Sequence, residues 1–334
     1  MSVAARVPPV GSSVLREIQA PVRSGLDKVE AELWRVVADN SPLIGEVNHH
    51  LMAMKGKLFR PTLVLLADAV EGRPSPAAVT RGAVVELIHL ATLVHDDAVD
   101  HSALRRGMPT INSVFSHQVS VIMGDYLYAR ALREMVREGD LDALRVLTEA
   151  SNEMTQGELR QLALPDPLTF SEDDYDALIR AKTASLFSAA CEVGALGGAP
   201  VHRAALARFG ERLGMAFQVA DDLLDYTAAE ETIGKPAGLD LREHKMTLPL
   251  IAALRRMPAS ARARVEALFA AEVPAERDIV EVTAIAAEYG GLEYARRRGE
   301  QFAQEAEEAL SGLPATPARG ALNDAIAYVM DRRS

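Results

Sequence analysis

Cysteine, aromatic residues and long apolar runs are scarce in this sequence, and each scarcity excludes a class of protein. The 334 residues include one cysteine, Cys191, so a disulfide framework is excluded and a reducing, cytoplasmic location is predicted. Only 5% of the residues are aromatic, and alternation of apolar with polar residues is nearly absent, which argues against a β-rich fold. No apolar run reaches the roughly 18 residues of a membrane-spanning helix, so no integral membrane segment is predicted.

Basic residues are also in deficit. Lys and Arg number 36 against 47 Asp and Glu, which gives a net charge of −11. Nucleic-acid binding depends on a basic surface, so no nucleic-acid partner is predicted. The glycine-rich phosphate loops of nucleotide-binding folds and the serine elbow of hydrolases are absent as well. The surplus of acidic side chains can serve to bind metal ions or to keep the protein soluble.

Apolar residues at helical spacing are abundant, and hydrophobic residues make up 49% of the chain. The pattern predicts an all-α fold with a single helical domain over residues 15–334. Residues 1–14 lack the apolar segment of a secretory signal and are interpreted as a disordered tail. Residues 229–244 mix Gly, Pro and charge and are predicted to form a functional loop. The predicted helices cover residues 15–40, 61–70, 77–99, 113–137, 141–163, 171–196, 202–228, 245–256, 277–288 and 291–310.

Two acidic triads with identical spacing each follow an apolar helical stretch. They are Asp96, Asp97 and Asp100 in HDDAVD, and Asp221, Asp222 and Asp225 in ADDLLD. The first and third members of each triad share one helix face, where like charges repel. A solvated acidic face would explain one such cluster, but two copies inside apolar helices favour Mg²⁺, which binds carboxylate oxygens and completes its shell with water and phosphate.

Cationic residues accompany the triads, and metal ions combined with Arg and Lys commonly hold a diphosphate. They are Lys57 and Arg60 in KGKLFRP, Arg105 and Arg106 after the first triad, Lys182 in IRAKTASLF, and Lys235 and Lys245 in or beside the loop. A lysine among apolar residues is often only snorkelling, so Lys182 alone is weak evidence. His89 and His95 lie on the same apolar helix. Since hard carboxylates select Mg²⁺ rather than Zn²⁺, we interpret His89 as a donor to phosphate and His95 as a packing residue.

These motifs resemble those of the trans-isoprenyl diphosphate synthases, the polyprenyl synthetase family. KGKLFRP is similar to the family's GGKRxRP motif, AKTASLF to its KT motif and FQVADDLLD to its FQxxDDxxD, while GKPAGLDLREHKMTLPL is similar to GKPxGxDxxxGKxTLP. The resemblance implies an isoprenoid synthase-like bundle of about ten or more helices around a central cavity, usually as a homodimer. It also implies condensation of isopentenyl diphosphate with an allylic diphosphate, helped by about three Mg²⁺ ions per active site.

The resemblance assigns roles residue by residue. Asp96, Asp97, Asp100 and Asp221 would ligate Mg²⁺, and Asp222 and Asp225 would assist directly or through water. The allylic diphosphate would be held by Arg105, Lys182, Thr183, Gln218, Lys235 and Lys245, and isopentenyl diphosphate by Lys57, Arg60, His89 and Arg106. The residues predicted to be catalytic are Asp96, Asp97, Asp100, Arg105, Lys182, Asp221 and Lys235. Three positions depart from the motifs, where Lys55, Leu58 and His244 replace a glycine, an arginine and a glycine.

The sequence also bears on the length of the polyprenyl product. In the family, the residue five positions before the first aspartate limits chain growth, and here it is Ala91, followed by Thr92. A small side chain there leaves a tunnel open, which resembles the long-chain, octaprenyl-type members extending farnesyl or geranylgeranyl diphosphate. Met123, Leu127 or Tyr128 would then form the floor. Alternatively, Ala91 is a small residue at a helix crossing, and the protein is a short-chain geranylgeranyl or farnesyl diphosphate synthase.

Two alternative functions would explain part of the same sequence pattern. A terpene cyclase also uses an acidic triad and Mg²⁺, but it normally has an aromatic-lined pocket and a second metal motif of Asn, Ser or Thr, and Glu. A non-catalytic subunit of a heteromeric synthase typically loses one triad or the basic residues, whereas this chain keeps both.

Overall fold

Helices make up nearly all the regular structure in the computed structural model, which describes residues 10–54, 56–72, 74–163, 166–227 and 238–331. The α-helices are α1 (Val10–Gln19), α2 (Arg23–Val37), α3 (Pro42–Ala53), α4 (Phe59–Ala69), α5 (Ala77–Val99), α6 (Ile111–Val114), α7 (His117–Glu138), α8 (Leu141–Leu162), α9 (Glu172–Ile179), α10 (Ser185–Gly194), α11 (Pro200–Thr227), α12 (Leu239–Arg242), α13 (Leu248–Leu254), α14 (Ala259–Ala270), α15 (Glu276–Glu288), α16 (Gly291–Leu310) and α17 (Pro317–Met330). Short 3₁₀ turns cover Ala20–Val22, Pro167–Thr169 and Ala195–Gly197, and a π turn covers Arg180–Ala184. A small antiparallel hairpin pairs β1 (Leu104–Arg105) with β2 (Met108–Pro109).

The predicted all-helical fold is confirmed, and the helix predicted over residues 77–99 has the bounds of α5. The first helix begins at Val10, so the predicted tail is wrong over residues 10–14, while residues 1–9 lie outside the described residues. The helix predicted over 15–40 is interrupted by the turn Ala20–Val22, because Pro21 supplies no backbone N–H.

Other helix boundaries also needed correction. The helix predicted over 113–137 is broken at Ser116, whose hydroxyl accepts from the backbone N–H of Val119 and starts a new helix. The stretch 171–196 is divided by the π turn. Helices α3, α14 and α17 were not predicted, because their apolar spacing is interrupted by polar residues and alanine. The loop predicted over 229–244 is wrong over Leu239–Arg242, which form the short helix α12, while residues 229–237 lie outside the described residues.

The two triad-bearing helices lie in the middle of the bundle. Helix α11 packs along α10 and α16, and α5 packs along α7 and α4. Within the described residues, α5 is the one helix long and apolar enough to cross a membrane, and 67% of its most apolar window is buried inside the protein. This is typical of a core helix. Cys191 on α10 is fully buried, and burial raises the pKa of its thiol.

The α5–α7 contact is close because one position on α7 lacks a side chain. A Cβ at Gly124 would lie 2.2 Å from Nε2 of His95. The same Nε2 lies 3.1 Å from the carbonyl oxygen of Val121, within hydrogen-bond distance. The packing role predicted for His95 is therefore confirmed.

A stability prediction follows from the start of α16. A Cβ at Gly291 would lie 2.0 Å from the carbonyl oxygen of Pro249, an atom that cannot move aside. We expect Gly291→Ala to lower the free energy of unfolding by about 2 kcal/mol or more, since overpacking costs on the order of 1–3 kcal/mol. Urea denaturation would measure the change. The matched control is Gly320→Ala within α17, where nothing lies within 4 Å, and which should be neutral or stabilising. Equal stability of the two variants would contradict the packing argument.

Candidate active site

An open cavity of about 970 Å³, called here the reaction cavity, lies between the C-terminal halves of α5 and α11. Both triads contribute to its wall, although they are far apart in sequence. The predicted site residues that line it are Lys57, Arg60, His89, Thr92, Asp96, Asp100, Arg105, Arg106, Lys182, Thr183, Gln218, Asp221, Asp222 and Lys245. Asp97, Asp225, Ala91, Met123, Leu127 and Tyr128 do not line it, and Lys235 lies outside the described residues.

In the first triad, Asp96 and Asp100 face the cavity, whereas Asp97 does not. The Nε of Arg105 lies 2.8 and 2.9 Å from the two carboxylate oxygens of Asp97, whose side chain is 4% exposed. The hairpin positions Arg105, because Arg106 and Gly107 form its two-residue turn with φ of +53° and +75°. The guanidinium thus engages both oxygens of Asp97, and the direct metal-ligand role predicted for Asp97 stays a prediction.

In the second triad, Asp221 is exposed and lines the cavity, while Asp222 is buried and also contributes to the cavity wall. Asp222 accepts hydrogen bonds from the hydroxyl of Tyr175 at 2.5 Å and from the amide of Gln218 at 2.8 Å. Asp225 accepts from the backbone N–H groups of Leu239 and Asp240, each at 3.0 Å. Asp225 thus holds the first turn of α12, and its expected role in assisting the metal stays a prediction.

The cavity concentrates negative charge that its own cations only partly offset. Burial raises the pKa of Asp96 to about 6, although Lys182 opposes the shift. Burial also raises the pKa of Asp222 to about 7 and that of Asp240 to about 8. A divalent cation would favour the ionised carboxylates.

The donor set fits Mg²⁺, because the groups that face the cavity are carboxylate oxygens. Asp96, Asp100 and Asp221 are the side chains that would hold it. Among the described residues, no three potential ligands converge on one point. Water and diphosphate oxygens would supply the other ligands, as Mg²⁺ commonly requires.

The cations expected to hold the allylic diphosphate are paired with neighbouring acidic side chains. The ammonium of Lys182 lies 2.5 Å from Glu158, and the π turn that contains Lys182 also presents Thr183 to the cavity. Such turns are frequent at functional sites. The ammonium of Lys245 lies 2.6 Å from Glu243 and 3.7 Å from Asp100. His244 has φ of +53°, so it keeps the left-handed conformation that the family's glycine adopts easily.

The residues expected to hold isopentenyl diphosphate also line the cavity. The ammonium of Lys57 lies 5.7 Å from the ring centre of Tyr328, and the guanidinium of Arg60 lies 4.7 Å from that of Phe187. Arg106 donates to the carbonyl of Met54 at 3.0 Å.

Burial, together with Arg60 and Arg106, keeps the pKa of His89 well below its usual range. His89 is therefore neutral near pH 7 and retains one ring N–H donor. This agrees with the predicted role of His89 as a donor to phosphate.

Several residues of the cavity wall were not predicted. Glu86 is buried near Arg60 and Arg106, and Tyr175, Asp240 and Tyr328 also line the cavity. The helical pattern accounts for Glu86, which lies one turn before His89. No sequence signal distinguishes Tyr175 from an ordinary core tyrosine.

The residues predicted to set product length lie in different environments. Thr92 lines the reaction cavity, and its hydroxyl donates to the carbonyl of His89 at 2.8 Å. Ala91, Met123 and Leu127 are buried in the core, and Tyr128 is half-buried. Leu90 instead lines a second cavity of about 260 Å³ between α1, α2, α3 and α5. The position of Ala91 suits a helix crossing, and its effect on product length stays a prediction.

Similarity to known proteins extends over nearly the whole chain. The sequence model of the polyprenyl synthetase family matches residues 41–286. Octaprenyl diphosphate synthase of Haemophilus influenzae is 37% identical over 320 residues, spanning 95% of this chain and 96% of that protein. Heptaprenyl diphosphate synthase component 2 of Geobacillus stearothermophilus is 39% identical, over 95% of this chain and 99% of that protein. The crystal structure of a polyprenyl synthase from Caulobacter crescentus, complexed with calcium and isoprenyl diphosphate, matches with a TM-score of 0.91 at 34% identity, covering 96% of this chain and 98% of that one.

Proposed function

The chain belongs to the polyprenyl synthetase family, and we propose that it condenses isopentenyl diphosphate with an allylic diphosphate to make a longer trans-polyprenyl diphosphate. The observation that carries this proposal is the single cavity that is lined by members of both acidic triads and by six cationic side chains, Lys57, Arg60, Arg105, Arg106, Lys182 and Lys245. Arg105, Lys182 and Lys245 would bind the allylic diphosphate, and Lys57, Arg60 and Arg106 would bind isopentenyl diphosphate. Farnesyl and geranylgeranyl diphosphate are the proposed primers.

The proposed reaction begins when the allylic C–O bond breaks and its electrons leave with the diphosphate. The double bond of isopentenyl diphosphate then attacks the allylic cation, and loss of a proton restores a double bond. Lys182 and Lys245 would bind the departing diphosphate, while apolar wall residues such as Leu93 and Phe217 exclude water from the cation. The proposed cofactor is Mg²⁺, about three ions per active site. Asp96, Asp100 and Asp221 would hold it, and its positive charge would stabilise the departing diphosphate.

We also propose a cytoplasmic homodimer. Helix α7 supports the dimer, because Val121, Ile122 and Val136 on it are 38%, 65% and 67% exposed, and apolar side chains grouped on one helix are typical of an interface. The similarity to a protein named as one component of a synthase raises the alternative of a second, different subunit. Both triads and the cations of the described cavity are present, which favours catalysis by this chain itself.

A product assay tests the function directly. Purified protein with Mg²⁺, labelled isopentenyl diphosphate and farnesyl diphosphate should give polyprenyl alcohols longer than the primer after dephosphorylation. EDTA should abolish turnover and added Mg²⁺ should restore it, because the carboxylates of the cavity need a divalent cation to bind a diphosphate. Products that stop at geranylgeranyl would favour the short-chain alternative. Cyclic hydrocarbon formed without isopentenyl diphosphate would indicate a cyclase, and turnover that is insensitive to EDTA would contradict the proposal.

A further inference from the structure

Tyr175 on α9 is a buried tyrosine whose hydroxyl reaches one member of the second triad. Its side chain is 1% exposed, and its hydroxyl donates to Oδ2 of Asp222 at 2.5 Å. A buried phenol that bonds to a carboxylate fixes the orientation of that carboxylate, because both groups would lose a hydrogen bond if either rotated.

The bond from Tyr175 is the end of a longer chain of hydrogen bonds. The hydroxyl of Thr183 donates to the side-chain oxygen of Gln218 at 2.7 Å, and the amide of Gln218 donates to Oδ1 of Asp222 at 2.8 Å. These hydrogen bonds connect α9, the π turn and α11 through the carboxylate of Asp222. Two members of this chain, Thr183 and Gln218, are residues proposed to hold the allylic diphosphate.

The same arrangement occurs in the first triad with a different donor. There the second aspartate, Asp97, is engaged by Arg105, while the first aspartate faces the cavity. In the second triad Asp221 faces the cavity, while Asp222 is engaged by Tyr175 and Gln218. In each triad, then, the second carboxylate is turned toward protein donors.

We propose that Tyr175 is a positioning residue: it fixes Asp222 as an indirect partner of the metal-bound diphosphate and leaves Asp221 as the direct ligand. This inference rests on the proposed function. Removal of an outer-shell group that hydrogen-bonds to the residues around a metal typically lowers the metal affinity by about 10- to 100-fold. Tyr175 contributes no atom to the reaction; it acts through Asp222.

The test compares two tyrosine variants that lose the same type of bond. Tyr175→Phe removes the hydroxyl that binds Asp222, and Tyr294→Phe removes a hydroxyl that donates to Glu172, also on α9, at 2.6 Å. Binding of Mn²⁺ in the presence of inorganic diphosphate, followed by electron paramagnetic resonance, should be about 10-fold weaker in Tyr175→Phe. It should be unchanged in Tyr294→Phe. The Mg²⁺ concentration for half-maximal turnover should shift in parallel. Wild-type Mn²⁺ affinity in a folded Tyr175→Phe protein would overturn the inference.

A double-variant cycle tests whether Tyr175 acts through Asp222. Asp222→Asn removes the carboxylate that Tyr175 positions, so adding Tyr175→Phe to that variant should not weaken Mn²⁺ binding further. Additive losses would overturn the inference. The proposed function fails separately, if the wild-type protein forms no polyprenyl diphosphate while Mn²⁺ and diphosphate still bind.

Discussion

Replacing Asp221 by asparagine is expected to lower kcat/KM by at least about 10³-fold, which corresponds to about 4 kcal/mol of transition-state stabilisation. Asp221 is the exposed member of its triad and lines the reaction cavity. Asparagine keeps the size of the side chain but removes the charge that would hold Mg²⁺ against the departing diphosphate, a contribution of several kcal/mol. Steady-state kinetics with varied Mg²⁺ would measure the loss, and Asp96→Asn should behave alike.

Two further variants test whether the loss is specific to the cavity. Asp225→Asn changes a carboxylate of the same triad that caps α12, so its loss of activity should be the smaller one and should come with a lower thermal midpoint. Asp324→Asn on the exposed surface of α17 should leave both quantities unchanged. An Asp221→Asn enzyme that keeps a tenth of wild-type activity would contradict the direct metal-ligand role.

The sequence predicted the parts of the fold and site that depend on local pattern. The bounds of α5 follow from its continuous apolar spacing, and the two triads come to one cavity because each ends an apolar stretch of a buried helix. The engagement of Asp97 could not be predicted, since it depends on a hairpin that turns Arg105 back toward α5.

The features that could not be predicted from the sequence depend on contacts between residues far apart in the chain. The partner of Asp222, Tyr175, lies 47 residues earlier in the chain. Tyr175 stands in the short helix EDDYDALI, and no sequence pattern there indicates that its hydroxyl meets the carboxylate of Asp222. The π turn at Arg180–Ala184 likewise depends on packing against α8 and α11 and not on helical propensity.

Substitution of phenylalanine at three successive positions of α5 should locate the path of the growing prenyl chain. Leu90 lines the second cavity, Ala91 lies in the core, and Thr92 lines the reaction cavity. We expect Ala91→Phe and Thr92→Phe to shorten the product to geranylgeranyl length or less, because each ring would occupy space that the chain needs. Leu90→Phe is the matched control and should keep wild-type product length. Chromatography of the dephosphorylated products would measure each length.

The thermal stability of the Ala91→Phe variant determines how its product length is interpreted. A ring forced into a closed helix crossing costs on the order of 1–3 kcal/mol, so Ala91→Phe should also lower the thermal midpoint. Thr92→Phe should lower it less, since its ring can enter the open cavity. If Ala91→Phe kept the wild-type product length while losing stability, Ala91 would be a packing residue only. The limit on chain growth would then lie at Thr92 or beyond it, because Thr92 is the neighbour of Ala91 that the reaction cavity reaches.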